Sequence, residues 1–110
     1  MLVSTTNELP GQEIVEVLGE VMGLTVRSRN IGSQLGASFK SILGGELKGM
    51  TKALVDSRRE VMERMIQEAE AKGADAIVAM RFDTSEMGNN WTEICAYGTA
   101  VRVRPTSASA

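Results

Sequence analysis

Residues 13–28 carry apolar side chains in both registers of an extended strand. Ile14, Leu18, Met22, Leu24 and Val26 alternate with Val15, Val17, Val21 and Thr25. Side chains along a strand point to opposite faces in turn, so a sheet with one solvated face shows polar residues in one register. This stretch does not, and it must be buried on both sides or meet another subunit. Gly19 and Gly23 interrupt it. Glycine inside a strand marks a bulge, a bend or a close backbone approach. The pattern predicts one long bent strand, or two strands joined near Gly19.

Around this strand the periodicity predicts the order ββααββ. Residues 2–6 read as a short strand, followed by a turn at residues 7–11 that Pro10-Gly11 marks. Asn30 is a good N-cap, and Ile31, Leu35, Phe39 and Ile42 follow at helical spacing until Gly44-Gly45. A second helix is predicted over residues 46–72, with Leu54, Val55, Val61, Met62, Met65, Ile66 and Ala69 as its apolar stripe. Its opposite face pairs Arg59 with Glu63, Glu60 with Arg64 and Arg64 with Glu68, and Gly73 stands where a helix-ending glycine belongs. Residues 76–83 and 92–103 read as two strands joined by a loop over residues 84–91. The expected fold is α+β, one domain over residues 1–105, with both helices on one face of an antiparallel sheet. Residues 106–110, TSASA, read as a disordered tail.

Composition removes several classes of function. The chain has 110 residues, a net charge of −2, no His and one Cys. Without a basic surface there is no electrostatic case for a nucleic acid or an acidic membrane. Without His, and with one Cys, no His-based triad, zinc finger or intramolecular disulfide can form. The N-terminus lacks the basic start and apolar run of a secretory signal, and no apolar stretch reaches the roughly 20 residues of a membrane span. A lone thiol suits a reducing cytoplasm.

Candidate chemistry gathers at the last hairpin. Asp83, Glu86 and Glu93 are the acid–base candidates, and Asp83, Trp91, Glu93 and Tyr97 the candidates for contact with a small ligand. Cys95 is the candidate soft-metal ligand. Pairing Arg81 with Glu93 matches opposite charges and places Cys95 opposite Ala79. No methionine then faces the thiol, and a soft-metal site would need several subunits. No catalytic residue or cofactor can be assigned from the sequence. A small enzyme with an inter-subunit site, using Glu93, Asp83 or Cys95, and a purely structural or partner-binding ring stand as the rival readings.

The runs LGEVMGLTVRSRNIG, GGELKGMTKAL, SRREVMERMIQEAEAKGADAIVAMRFDTSEMG and TEICAYGTAVRV resemble the YbjQ-like family over residues 2–105. Its members are small bacterial and archaeal proteins that carry a heavy-metal-binding label. The resemblance implies a dodecin-like α+β subunit assembled as a homopentameric ring, sometimes as two stacked pentamers. It adds fold and assembly rather than mechanism, and the leading expectation, drawn from the residues and the resemblance together, is a non-enzymatic, cytoplasmic homo-oligomer that binds a metal ion or small ligand where subunits meet. It carries over no catalytic motif.

Overall fold

The computed structural model describes residues 1–28, 48–88 and 91–106. In chain order the elements are β1 (Leu2–Val3), β2 (Gln12–Ser28), α1 (Lys48–Ala71), β3 (Ala76–Met87) and β4 (Trp91–Pro105). The four strands form one sheet in the order β1-β3-β4-β2. β1 runs parallel to β3, and the β3–β4 and β2–β4 pairs are antiparallel.

β2 is the bent single strand of the two alternatives. Its pairing with β4 shifts between Ile14 and Glu16 and again between Val17 and Gly19, so one extra residue enters at each point. Each extra residue reverses which face the next side chain takes. Leu18 therefore packs against the helix-side core, whereas Met22, Leu24 and Val26, expected in its register, are exposed. Beyond Gly19, Val21, Gly23 and Thr25 face α1. Glycine is required at 23: a Cβ there would lie 1.9 Å from the carbonyl oxygen of Val61. The helix rests directly on the strand backbone.

α1 forms because its buried positions recur every four residues. Ser57, Val61, Met65 and Ala69 are buried, with Met62 and Ile66 packed alongside. They meet Val21, Ile77, Met80, Ile94, Ala96 and Ala100 of the sheet. Each large apolar side chain fully buried here contributes about 1.5–3 kcal/mol. The helix ends in a Schellman motif: the Ala74 and Gly73 N–H groups donate to the Ala69 and Glu70 carbonyls at 3.0 and 2.9 Å, with Gly73 at φ +76°. Of the three expected i,i+4 pairs, the Glu60–Arg64 ion pair forms, at 2.6 Å, and Glu60 also engages Arg27 of β2. Leu54 and Val55, expected on the buried stripe, are instead exposed.

Several expectations are corrected. The sheet is mixed, because the chain after β1 does not turn back into β2. Ser4 N–H donates to the Ile77 carbonyl at 2.8 Å, and Ala79 and Met80 donate to the Thr6 and Ser4 carbonyls at 2.8 and 3.0 Å. These bonds carry the N-terminal segment along β3. Leu9 then packs on Ala76, Val78 and Val101, with Ile14 and Val103 beside them. Among the described residues there is one helix, giving the order β-β-α-β-β in place of the two-helix, dodecin-like arrangement. The helix expected over residues 31–42 lies outside the described residues, and a single chain shows no ring. The loop expected over residues 84–91 is largely strand, since β3 continues to Met87 and β4 restarts at Trp91. Asn89, Asn90 and residues 107–110 of the expected tail also lie outside the described residues.

Candidate functional site

β4 alternates without interruption, and its odd-numbered residues from Trp91 to Val103 point away from α1. At one end of this outer face the N-terminal segment covers the sheet through Leu9. At the other end the outer face combines Met22, Leu24 and Val26 of β2 with Trp91, Glu93, Cys95 and Tyr97 of β4. Arg81, Asp83, Ser85 and Met87 of β3 complete it. Met22, Leu24, Val26, Met87, Trp91 and Tyr97 are between 38% and 51% exposed. These six are half of the large hydrophobic side chains that are exposed among the described residues.

Asp83, Trp91, Glu93, Cys95 and Tyr97, five of the six candidates from the sequence, lie on this face, but not as the expected register paired them. Arg81 stands opposite Tyr97 rather than Glu93, Glu93 is opposite Ser85, and Cys95 is opposite Asp83 on one side and Leu24 on the other. Hairpin register is set by its turn, and here Met87 pairs directly with Trp91. Further along, an extra residue enters β3 between Val78 and Arg81, where Ala79 adopts φ +54°. Glu86 pairs with Thr92 on the opposite, helix-side face and so stands apart from Asp83 and Glu93.

Cys95 is buried at the centre of the patch, and its thiol lies 3.6 Å from the Ala96 carbonyl oxygen, to which it donates. Burial, followed by the nearby carboxylates of Glu93, Asp83 and Glu20, pushes the thiol above its ordinary pKa of 9.0. At neutral pH it is protonated, a form that does not attack as a nucleophile and whose proton a bound metal ion would have to displace. Among the described residues no group of three or more His, Cys, Asp or Glu is placed to hold a metal ion. The carboxylates of Asp83 and Glu93 share a face with Cys95 without converging on a common centre. A shallow depression of about 350 Å³ lies at the covered end, lined by Glu8, Leu9, Pro10, Gly11, Gln12 and Ile14. It includes none of the candidate residues. Sequence reasoning missed Met22, Leu24, Val26 and Met87 as parts of the candidate face. The doubly apolar pattern of residues 13–28 was the signal for the first three.

Comparison with known proteins places the chain. A family model described as "putative heavy-metal-binding", of the YbjQ type, matches residues 1–104. A UPF0145 protein of Acidothermus cellulolyticus is 68% identical over 103 residues, covering 94% of this chain and 95% of the relative. UPF0145 proteins of Streptomyces coelicolor and Sulfurisphaera tokodaii are 59% and 50% identical, each covering 94% of this chain and, respectively, 97% and 90% of the relative. A crystal structure from Pediococcus pentosaceus, of a protein of unknown function in the DUF74 family, covers 94% of this chain and 98% of its own. Its TM-score is 0.59 at 16% identity, a likeness of fold alone. Near-complete coverage on both sides and identities of 50% and above are decisive: the chain belongs to the YbjQ-like, UPF0145 family.

Proposed function

We propose that this protein is a non-enzymatic, self-associating cytoplasmic protein whose uncovered sheet face is a subunit contact, and that a metal ion or small ligand is held where copies meet. One observation carries this reading: six half-exposed large apolar side chains share one sheet face around a buried thiol. Contiguous apolar patches of this kind mark association surfaces. The YbjQ-like resemblance suggests five copies, or two sets of five. One chain offers a single thiol and no His where Zn²⁺ takes four ligands, so zinc binding through Cys95 calls for several chains. The neutral, buried Cys95 weighs against a thiol enzyme. Among the described residues no helix is long and apolar enough to cross a membrane. Native mass spectrometry of protein purified without chelator tests the reading, because it reports subunit number and co-purified mass together. A mass of several chains is expected. A monomer at micromolar concentration would overturn the proposal, and an oligomer that carries no added mass would favour a purely structural role.

A further inference from the structure

We infer that the uncovered sheet face of one copy receives the first half of α1 from a second copy, in a head-to-tail contact. The inference rests on the self-association proposed above and names its second surface. Leu54 and Val55 are 50% and 46% exposed. Lys52, Arg58 and Arg59 stand within a turn of them and are exposed, and Asp56 is the one acidic residue between positions 51 and 59. This part of α1 is an apolar pair in a basic surround.

The sheet face has the opposite character. Glu20, Asp83 and Glu93 point outward beside Met22, Leu24 and Val26, and Asp83 is directly opposite Cys95. Arg81 shares the face, but its guanidinium is tied to the Thr5 and Met80 carbonyls at 2.9 and 2.8 Å. The result is an apolar centre with an acidic surround. A face-to-face pair would set these carboxylates against their own copies, and like charges in apposition cost several kcal/mol. Pairing the sheet face with α1 sets three carboxylates against Lys52 and Arg59, since Arg58 is held over the ring of Phe82 in its own chain, 5.0 Å from the centroid. Six half-exposed side chains of this size offer on the order of 500 Å², most of the roughly 800 Å² that each partner contributes to a standard interface. Each copy presents both surfaces, so the contact does not end at two chains.

Two charge-reversed proteins test this by light scattering at micromolar concentration, with circular dichroism confirming their folds. One carries Asp83→Lys and Glu93→Lys on the sheet face; the other carries Lys52→Glu and Arg59→Glu on the helix. Each alone should dissociate about tenfold or more readily than the parent. A chain carrying all four changes should assemble again, as should an equimolar mixture of the two proteins. Leu54→Ser should also weaken assembly, through apolar contact rather than charge. If the sheet-face protein dissociates while the helix protein and Leu54→Ser assemble like the parent, the contact is not to α1 and this inference fails, although self-association stands. If the parent itself is monomeric, self-association fails and this inference with it.

Discussion

Replacing Gly23 with alanine probes the helix–sheet contact with a single methyl group. That methyl would lie 1.9 Å from the Val61 carbonyl oxygen, 2.7 Å from the Met65 nitrogen and 2.8 Å from the Val61 carbonyl carbon. All three obstructions are helix backbone, which cannot swing aside as the tip of a side chain can. Comfortable contact begins near 3.5 Å, so α1 must retreat by roughly 1.5 Å. Retreat draws Val61 and Met65 away from Val21 and Ala96. A gap of about 0.5–1 Å already forfeits a quarter to a half of each contact's attraction. Overpacking typically costs about 1–3 kcal/mol, and a backbone obstruction belongs at or above the upper end. At roughly 4 °C or more per kcal/mol for a domain near this size, the melting midpoint should fall by more than about 10 °C. Thermal and urea unfolding followed by circular dichroism, at one fixed protein concentration, measures the loss. Gly19 provides contrast within the same strand. Its φ is +105°, and the nearest atom to an added Cβ is the Lys72 Nζ at 3.9 Å, so alanine there meets conformational strain rather than collision. A Gly23→Ala midpoint within about 2 °C of the parent would refute the close approach of helix to strand.

Two further outcomes follow from Cys95. Below pH 9.0 its thiol is protonated in both the folded and unfolded chain; above it the unfolded chain loses its proton first, because burial, Glu93, Asp83 and Glu20 raise the folded value. Stability should therefore fall as pH rises above about 9, and Cys95→Ser should flatten that part of the urea-midpoint profile; an equal slope in both proteins would remove the thiol from the account. Any tight uptake of Zn²⁺ or Cu(I) should be lost in Cys95→Ser while the fold persists; tight and equal calorimetric titrations of the two proteins would exclude the thiol as the ligand, and binding by neither would favour a structural role.

What could be read from the sequence was periodicity, and what escaped it was the single inserted residue. Val61, Met65 and Ala69 recur at helical spacing and Gly73 closes the helix, so α1 was legible almost to its ends. The doubly apolar β2 announced a strand, and its outward residues Met22, Leu24 and Val26 are half exposed rather than polar. The parallel placement of β1 was not legible, because two residues carry no periodicity and the bonds that decide it come from Ser4, Thr6, Ala79 and Met80 backbone groups. Gly19 marked the second bulge in β2, but the first, between Ile14 and Glu16, and the one at Ala79 have no side-chain signature. An alanine at φ +54° looks like any alanine in a sequence. Their consequence was selective. The expected pairing of Arg81 with Glu93 and the observed pairing with Tyr97 differ by four positions, an even number. An even slip keeps every side chain on its face and changes only its partner, whereas an odd slip moves it through the sheet. Arg81, Glu93, Cys95 and Tyr97 therefore share a face as the alternation required, while Ile77, across the bulge from Arg81, is on the helix side. The partner of Cys95 changed from the methyl of Ala79 to the carboxylate of Asp83. That substitution matters chemically. An alanine opposite the thiol would leave burial, Glu93 and Glu20 to disfavour the thiolate, and the aspartate adds a further negative charge to the same effect.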